Sequence, residues 1–182
     1  LRCTSVVSEA VSDRIKEEMK IDLHEDYLRS VMFGLQDGLV STTGVVVGIS
    51  AGVADSAIII LAAFVAISVE ASSMAAGQYS SEKAVHQLDK SGKHKDSLII
   101  GASLMFFSYL GAGFVPISPF LIFTPEVARV VSISVALMVL FVIGYFKGRI
   151  VKERALRSAV EMLVIGGLAT VIGLVVGNFL KV

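Results

Sequence analysis

The 182-residue chain has no tryptophan and one cysteine, Cys3, so an internal disulfide and a cysteine-based metal cluster are both excluded. Three prolines, Pro116, Pro119 and Pro125, fall within ten residues of one another and leave the rest of the chain free of helix breakers. The three histidines, His24, His86 and His94, lie in polar stretches. No GxSxG, P-loop, HExxH or paired-histidine arrangement occurs, which removes the common hydrolase, nucleotide-binding and zinc-enzyme classes. Charged residues make up only 18% of the chain, and several long runs almost lack them.

What fills those runs is apolar. With 54% hydrophobic residues gathered in uninterrupted stretches near twenty residues long, the composition is that of a membrane protein. Five spans are expected: residues 31–53, 57–79, about 98–115, about 127–146 and about 158–180. Pro116 and Pro119 end the third. Thr124, Pro125 and Glu126 read as an N-cap, a first-turn proline and a first-turn acid opening the fourth. The fold class is therefore all-α, a five-span transmembrane domain over residues 30–182 preceded by an N-terminal cytosolic segment, residues 1–29.

That segment is no secretory signal, since Asp13, Arg14, Lys16, Glu17, Glu18 and Lys20 interrupt any apolar core. The chain begins at Leu1 rather than a methionine, so its start is expected to be processed or incomplete. Val7, Val11, Ile15, Met19 and Leu23 recur every fourth residue and draw an apolar stripe on an otherwise charged helix. Such an amphipathic helix lies on the membrane surface or packs on a cytosolic loop. Cys3 reads as incidental near a terminus.

Charge sets the orientation. Of sixteen lysines and arginines, five precede the first span, four lie between the second and third, and five between the fourth and fifth. The turns on the other face contribute none, and Arg129 and Lys181 complete the count. By the positive-inside rule the N-terminus is cytosolic. An integral membrane protein in a cell membrane, or in a vacuolar or other organelle membrane, is expected.

Against this apolar background three residues stand out. Asp37 is the one charge in the first span, VMFGLQDGLVSTTGVVVGISAGV, and Glu70 and Met74 lie in the second, AIIILAAFVAISVEASSMAAGQY. Only Val53 to Ser56 separate the two spans, so they are antiparallel neighbours. At about 1.5 Å of rise per residue, Asp37 and Met74 reach a shared depth roughly 8–9 Å inside the cytosolic end, with Glu70 one turn deeper on Met74's face. An ionisable group at such depth is costly and is a functional hypothesis by default. Carboxylate oxygen suits Mg, Mn and Fe(II), whereas a thioether is a soft ligand, so a mixed Asp and Met site leans towards late divalent metals such as Fe(II).

Each residue also has a structural reading. Met74 fills a gap in the bundle. Asp37 is hydrogen bonded to Ser41 or Thr42. Glu70 is a permanently protonated acid bonded to Ser73 or across the bundle. As a functional group, Glu70 is a proton carrier: desolvation disfavours a charged carboxyl and an arriving divalent cation favours it, so metal binding can expel a proton. Glu82, His86 and Asp89 share a helical face at the cytosolic mouth and are weaker metal candidates, a solvated face being the better reading. Glu161 reads as a helix-start acid near Arg157. Gly34, Gly38, Ser41, Gly44, Gly48 and Gly52 leave the first helix bare along one side, as Gly166, Thr170, Gly173 and Gly177 do for the fifth, which permits close helix approach.

RSVMFGLQDGLVSTTGVVVGISAG followed by EASSMAAGQYSSEK resembles the vacuolar iron transporter family, with its five spans, a DG in the first and an SMxxGxY signature in the second. The likeness is specific over residues 29–82 and covers about 24–182 in topology. It implies a homodimer whose first spans line a path at the interface, and exchange of divalent iron or manganese for protons. Asp37 matches the family's pathway aspartate and Met74 its pathway methionine. Three departures follow. Residues 80–96 are too few for the long glutamate-rich insertion of plant and protist members. Ser30 stands where those members carry an acid before the DG aspartate, and Ala66 where they carry one eight residues before the methionine. Glu70, one turn from Ala66, is placed to substitute. The expected partners are divalent metal ions, protons and the bilayer, with no permanent cofactor and no nucleic acid. The other class consistent with the residues is a non-transporting membrane assembly module whose intramembrane acids hold helices together.

Overall fold

The computed structural model describes residues 2–88 and 97–180, with the helical backbone alone for residues 2–25. Five α-helices follow one another: α1 Arg2–Gly52, α2 Ser56–Leu88, α3 Leu98–Ile117, α4 Pro125–Ile150 and α5 Ala155–Phe179, with a 3-10 turn at Ser118–Leu121. Among the described residues all regular structure is helical. Each helix contains a segment long and apolar enough to cross a bilayer; in α1 that segment is Asp26–Gly52. Within a lipid phase only hydrogen-bonded helices or closed barrels satisfy the backbone, and these sequences supply the former.

The expected spans match these helices, overrunning them by one residue at Val53 and Leu180, and most helix ends extend further. The residues before the first span continue into it as one helix. The stripe from Val7 to Leu23 belongs to side chains outside the described set. α2 runs nine residues past Tyr79, as the polar but helix-compatible SSEKAVHQL allows. Pro116 does not end α3; it sits inside its last turn, and the break comes at the 3-10 turn that Pro119 opens. Thr124 takes the extended conformation of an N-cap before Pro125, although its side chain makes no capping bond. α4 ends in a Schellman turn: Glu153 N–H donates to the Gly148 carbonyl at 2.9 Å, and Lys152 holds the left-handed conformation at φ 58° that glycine usually takes.

α1 is the axis of the bundle. It is the most buried span and packs against all four others, most extensively α3 and α5. The reason is its bare side. A Cβ added at Gly38 would strike the Tyr109 carbonyl oxygen of α3, and one added at Gly48 would lie 2.9 Å from the Gly173 carbonyl of α5. The glycine stripes therefore serve contacts within one chain. Val46, Ile59, Ala63, Ile67 and Tyr109 form one buried cluster, and Leu39, Ala136, Leu140 and Met162 another. Outward, Ile58, Leu61, Val65 and Val69 line α2 with the apolar face that lipid requires.

At the end of α1 remote from the site, Arg129 reaches from α4. Its Nε donates to Ser50 Oγ at 2.9 Å, and its Nη2 donates to the Ser50 carbonyl. A cation thus satisfies a last-turn carbonyl that has no intrahelical partner, where the helix dipole favours positive charge. At the opposite end of the bundle Arg157 pairs with Glu161 at 3.1 Å across one turn, both exposed; Glu161 is near Arg157 as expected but lies in the second turn of α5, whose first turn holds no acid.

Candidate functional site

Where α1, α2 and α3 meet, a cavity of 240 Å³ is lined by six residues: Asp37 and Ser41, Glu70, Ser73 and Met74, and Tyr109. Helix periodicity assembles it. Asp37 and Ser41 are four apart on α1, Glu70 and Met74 four apart on α2, and each pair projects from one face. Gly38 lets the α1 backbone approach α3 at Tyr109 itself, which brings the phenol to the acids. The close approach needed for packing and the closure of the site are the same event.

The two acids differ in their surroundings. Glu70 Oε2 accepts a hydrogen bond from Ser41 Oγ at 2.8 Å and another from the Tyr109 hydroxyl, and those two hydroxyls also contact each other. Asp37 has no hydrogen-bond partner among the described residues, although its side chain is half-buried. Neither expected neighbour engages it: Ser41 turns to Glu70, and the buried Thr42 hydroxyl has no hydrogen-bond partner among the described residues. Ser73 likewise leaves Glu70 to the cross-bundle hydroxyls. Met74 is half-buried, packs on the apolar cluster around Ile67 and Tyr109, and also borders the cavity. Packing and exposure to the cavity are both satisfied by one flexible side chain.

One turn further along α2 from Met74, Gln78 Nε2 donates to Ser30 Oγ at 3.0 Å and to Glu82 Oε1, while Ser30 Oγ donates to the Asp26 carbonyl at 3.0 Å. Glu82 lies against Gly101 of α3, where an added Cβ would sit 3.0 Å from its Oε2. Glu82 and the half-buried His86 stand outside the cavity that holds Asp37, Glu70 and Met74, and Asp89 lies outside the described residues. Among the described residues no three His, Cys, Asp or Glu side chains gather as a metal-binding group. One copy of the chain offers two carboxylates and a thioether.

Three participants were not singled out from the sequence as site members: Tyr109, Ser41 as the partner of Glu70, and Gln78. A signal existed for the first. A phenol in the middle of an apolar span needs a hydrogen-bond partner, and an acid in a neighbouring span is the partner within reach.

Comparison with known proteins follows the same residues. The family model described as the VIT family matches residues 28–98 and 84–178. An uncharacterized protein of Methanocaldococcus jannaschii is 31% identical over 167 residues, covering 81% of this chain and 86% of that one. Vacuolar iron transporter homolog 2 of Arabidopsis thaliana is 28% identical over 154 residues, 79% of each chain. Vacuolar iron transporter 1 of Oryza sativa subsp. japonica is 38% identical over 73 residues, 40% of this chain and 29% of that protein. With a family model spanning nearly the whole membrane domain and a relative matched along most of its length, this integral membrane protein belongs to the VIT family, a family of metal transporters and not of enzymes.

Proposed function

We propose that the protein moves Fe(II) or Mn(II) out of the cytosol in exchange for protons, with Asp37, Glu70 and Met74 as the metal ligands along the path. The observation that carries this reading is Asp37: a half-buried carboxylate in a membrane span, without a hydrogen-bond partner among the described residues, bordering a cavity shared with a second carboxylate and a thioether. An acid kept at depth without a partner destabilises the fold unless something else compensates its charge, and a transported cation does so. The thioether supports the late divalent ions over hard ones.

The working unit in this reading is a homodimer. An apolar groove of 600 Å³ runs between α1 and α5, lined among others by Val40, Val45, Ile49, Ile172 and Val176, and Ser41 borders both this groove and the acidic cavity. A second copy seated there would bring its own α1 beside the first and double the ligands. The cytosolic side is the one carrying the N-terminus and the loops at 80–96 and 147–157, on the strength of the lysine and arginine distribution. In a Cys3→Ser background, cysteines at Asp55 and Arg154 should label from opposite sides of sealed vesicles; labelling of both from one side would overturn the five-span topology on which this orientation rests.

The bonds from Ser41 and Tyr109 to Glu70 are also what an assembly role for that acid would produce, so Glu70 is the residue to test. Glu70→Gln keeps the shape and the capacity to accept hydrogen bonds and removes the titratable oxygen. In proteoliposomes loaded with a pH indicator, it should reduce metal-driven proton movement more than metal binding. An unchanged proton flux per metal would make Glu70 structural and leave the proton path elsewhere.

A further inference from the structure

The two hydroxyl bonds to Glu70 fall on one oxygen. Ser41 Oγ and the Tyr109 hydroxyl both donate to Oε2, and among the described residues nothing donates to Oε1. A carboxylate oxygen has two lone-pair sites, so Oε2 is fully engaged and only Oε1 has capacity for a cation. Tyr109 is 1% exposed, and its backbone is held against α1 at Gly38, which keeps the phenol beside Glu70.

We infer that Ser41 and Tyr109 are specificity-determining positioning residues that force Glu70 to ligate through one oxygen and so discriminate against Ca(II), an inference that rests on Glu70 being a ligand in the reading above. Calcium takes six to eight oxygens at about 2.3–2.6 Å and readily takes both oxygens of one carboxylate. With Glu70 confined to a single donor, each chain offers at most three carboxylate oxygens and the dimer six, the bottom of that range, against eight if both acids could turn both oxygens inward. Smaller divalent ions with fewer ligands lose far less, and the Met74 thioether adds to Fe(II) something Ca(II) gains little from. Selectivity against the hard, large cation thus comes from hydroxyls that never touch the metal.

The full chain in proteoliposomes tests this with two probes, Mn(II) uptake and its inhibition by Ca(II). In the wild type Ca(II) should compete weakly. In Tyr109→Phe, and more so in the Ser41→Ala/Tyr109→Phe double variant, the carboxylate is free to turn both oxygens inward. The apparent affinity for Ca(II) relative to Mn(II) should rise by about tenfold in the double variant, in line with the worth of a hydrogen bond to a charged group. Tyr109→Phe conserves shape and carries the test alone if the double variant folds poorly. A ratio that stays at its wild-type value, or Mn(II) and Ca(II) affinities that fall together, would overturn the inference and leave the hydroxyls as structural contacts. Glu70→Ala separates the two levels. If it leaves Mn(II) affinity intact, Glu70 is not a ligand and the underlying assignment fails; if it weakens Mn(II) while the hydroxyl variants leave the ratio unmoved, the assignment stands and only the clamp is wrong.

Discussion

Replacing Asp37 by alanine is expected to abolish transport of every divalent ion while leaving the protein folded. The other carboxylate of the apolar segment of α1, Asp26, stands at its very start about three turns away, and Glu70, already engaged at one oxygen, supplies a single donor. Because Asp37 makes no hydrogen bond among the described residues, removing it orphans no partner, so the usual penalty for breaking a buried polar contact does not arise. Met74→Ala should act differently. It removes the soft ligand without changing charge, and Fe(II) uptake should fall more than Mn(II) uptake. Proteoliposome uptake of both metals, with size-exclusion profiles of each variant, reads the two effects. A well-folded Asp37→Ala protein with wild-type Fe(II) uptake would falsify the site. Equal losses of both metals in Met74→Ala would keep the site and remove the thioether as its selectivity element.

Gly38→Ala should be the most damaging change that alters no ligand. The added methyl meets the carbonyl oxygen of Tyr109 and lies 3.0 Å from its Cα, and backbone atoms cannot rotate out of the way. α1 and α3 must part, at an overpacking cost of about 1–3 kcal/mol, and they part at the residue whose phenol holds Glu70. Both thermal stability in detergent and metal uptake should therefore drop, with uptake falling further than stability accounts for. Gly111→Ala is the control, since nothing lies within 4 Å of a methyl there and alanine favours the helix. A Gly38→Ala protein as stable and active as wild type would mean that the close approach of α1 to α3 is dispensable.

Helix positions were legible in the sequence to within a turn or two, because apolar runs of this length have one stable solution in lipid. The exceptions were local. Pro116 was expected to end α3, yet a proline in the last turn costs one hydrogen bond that the following 3-10 turn recovers in part, so the helix passes it. The glycine stripe of α1 was visible, but a stripe does not name its partner. Whether Gly38 and Gly48 face another copy or another helix of the same chain depends on the rotation of α1 in the bundle, and that rotation places them against Tyr109 and Gly173.

The site divides in the same way. Asp37, Glu70 and Met74 could be placed at related depths from residue counts alone, because rise per residue is fixed and the short turn after Gly52 sets the register of α1 and α2. Their chemistry, two hard oxygen donors and one soft sulfur in apolar spans, follows from residue type. What the sequence does not contain is the third helix. Tyr109 lies nearly forty residues beyond Glu70, across a loop and a reversal of direction, and nothing in its local pattern sets which way its ring points. Only packing determines that: α1, bare of side chains at Gly38, admits the α3 backbone close enough for the phenol and the Ser41 hydroxyl to settle on the same carboxylate oxygen. Position along the helix and donor type were thus fixed by covalent order and helix geometry, whereas the difference between Asp37, without a hydrogen bond among the described residues, and the clamped Glu70 arises from the tertiary fit of three helices.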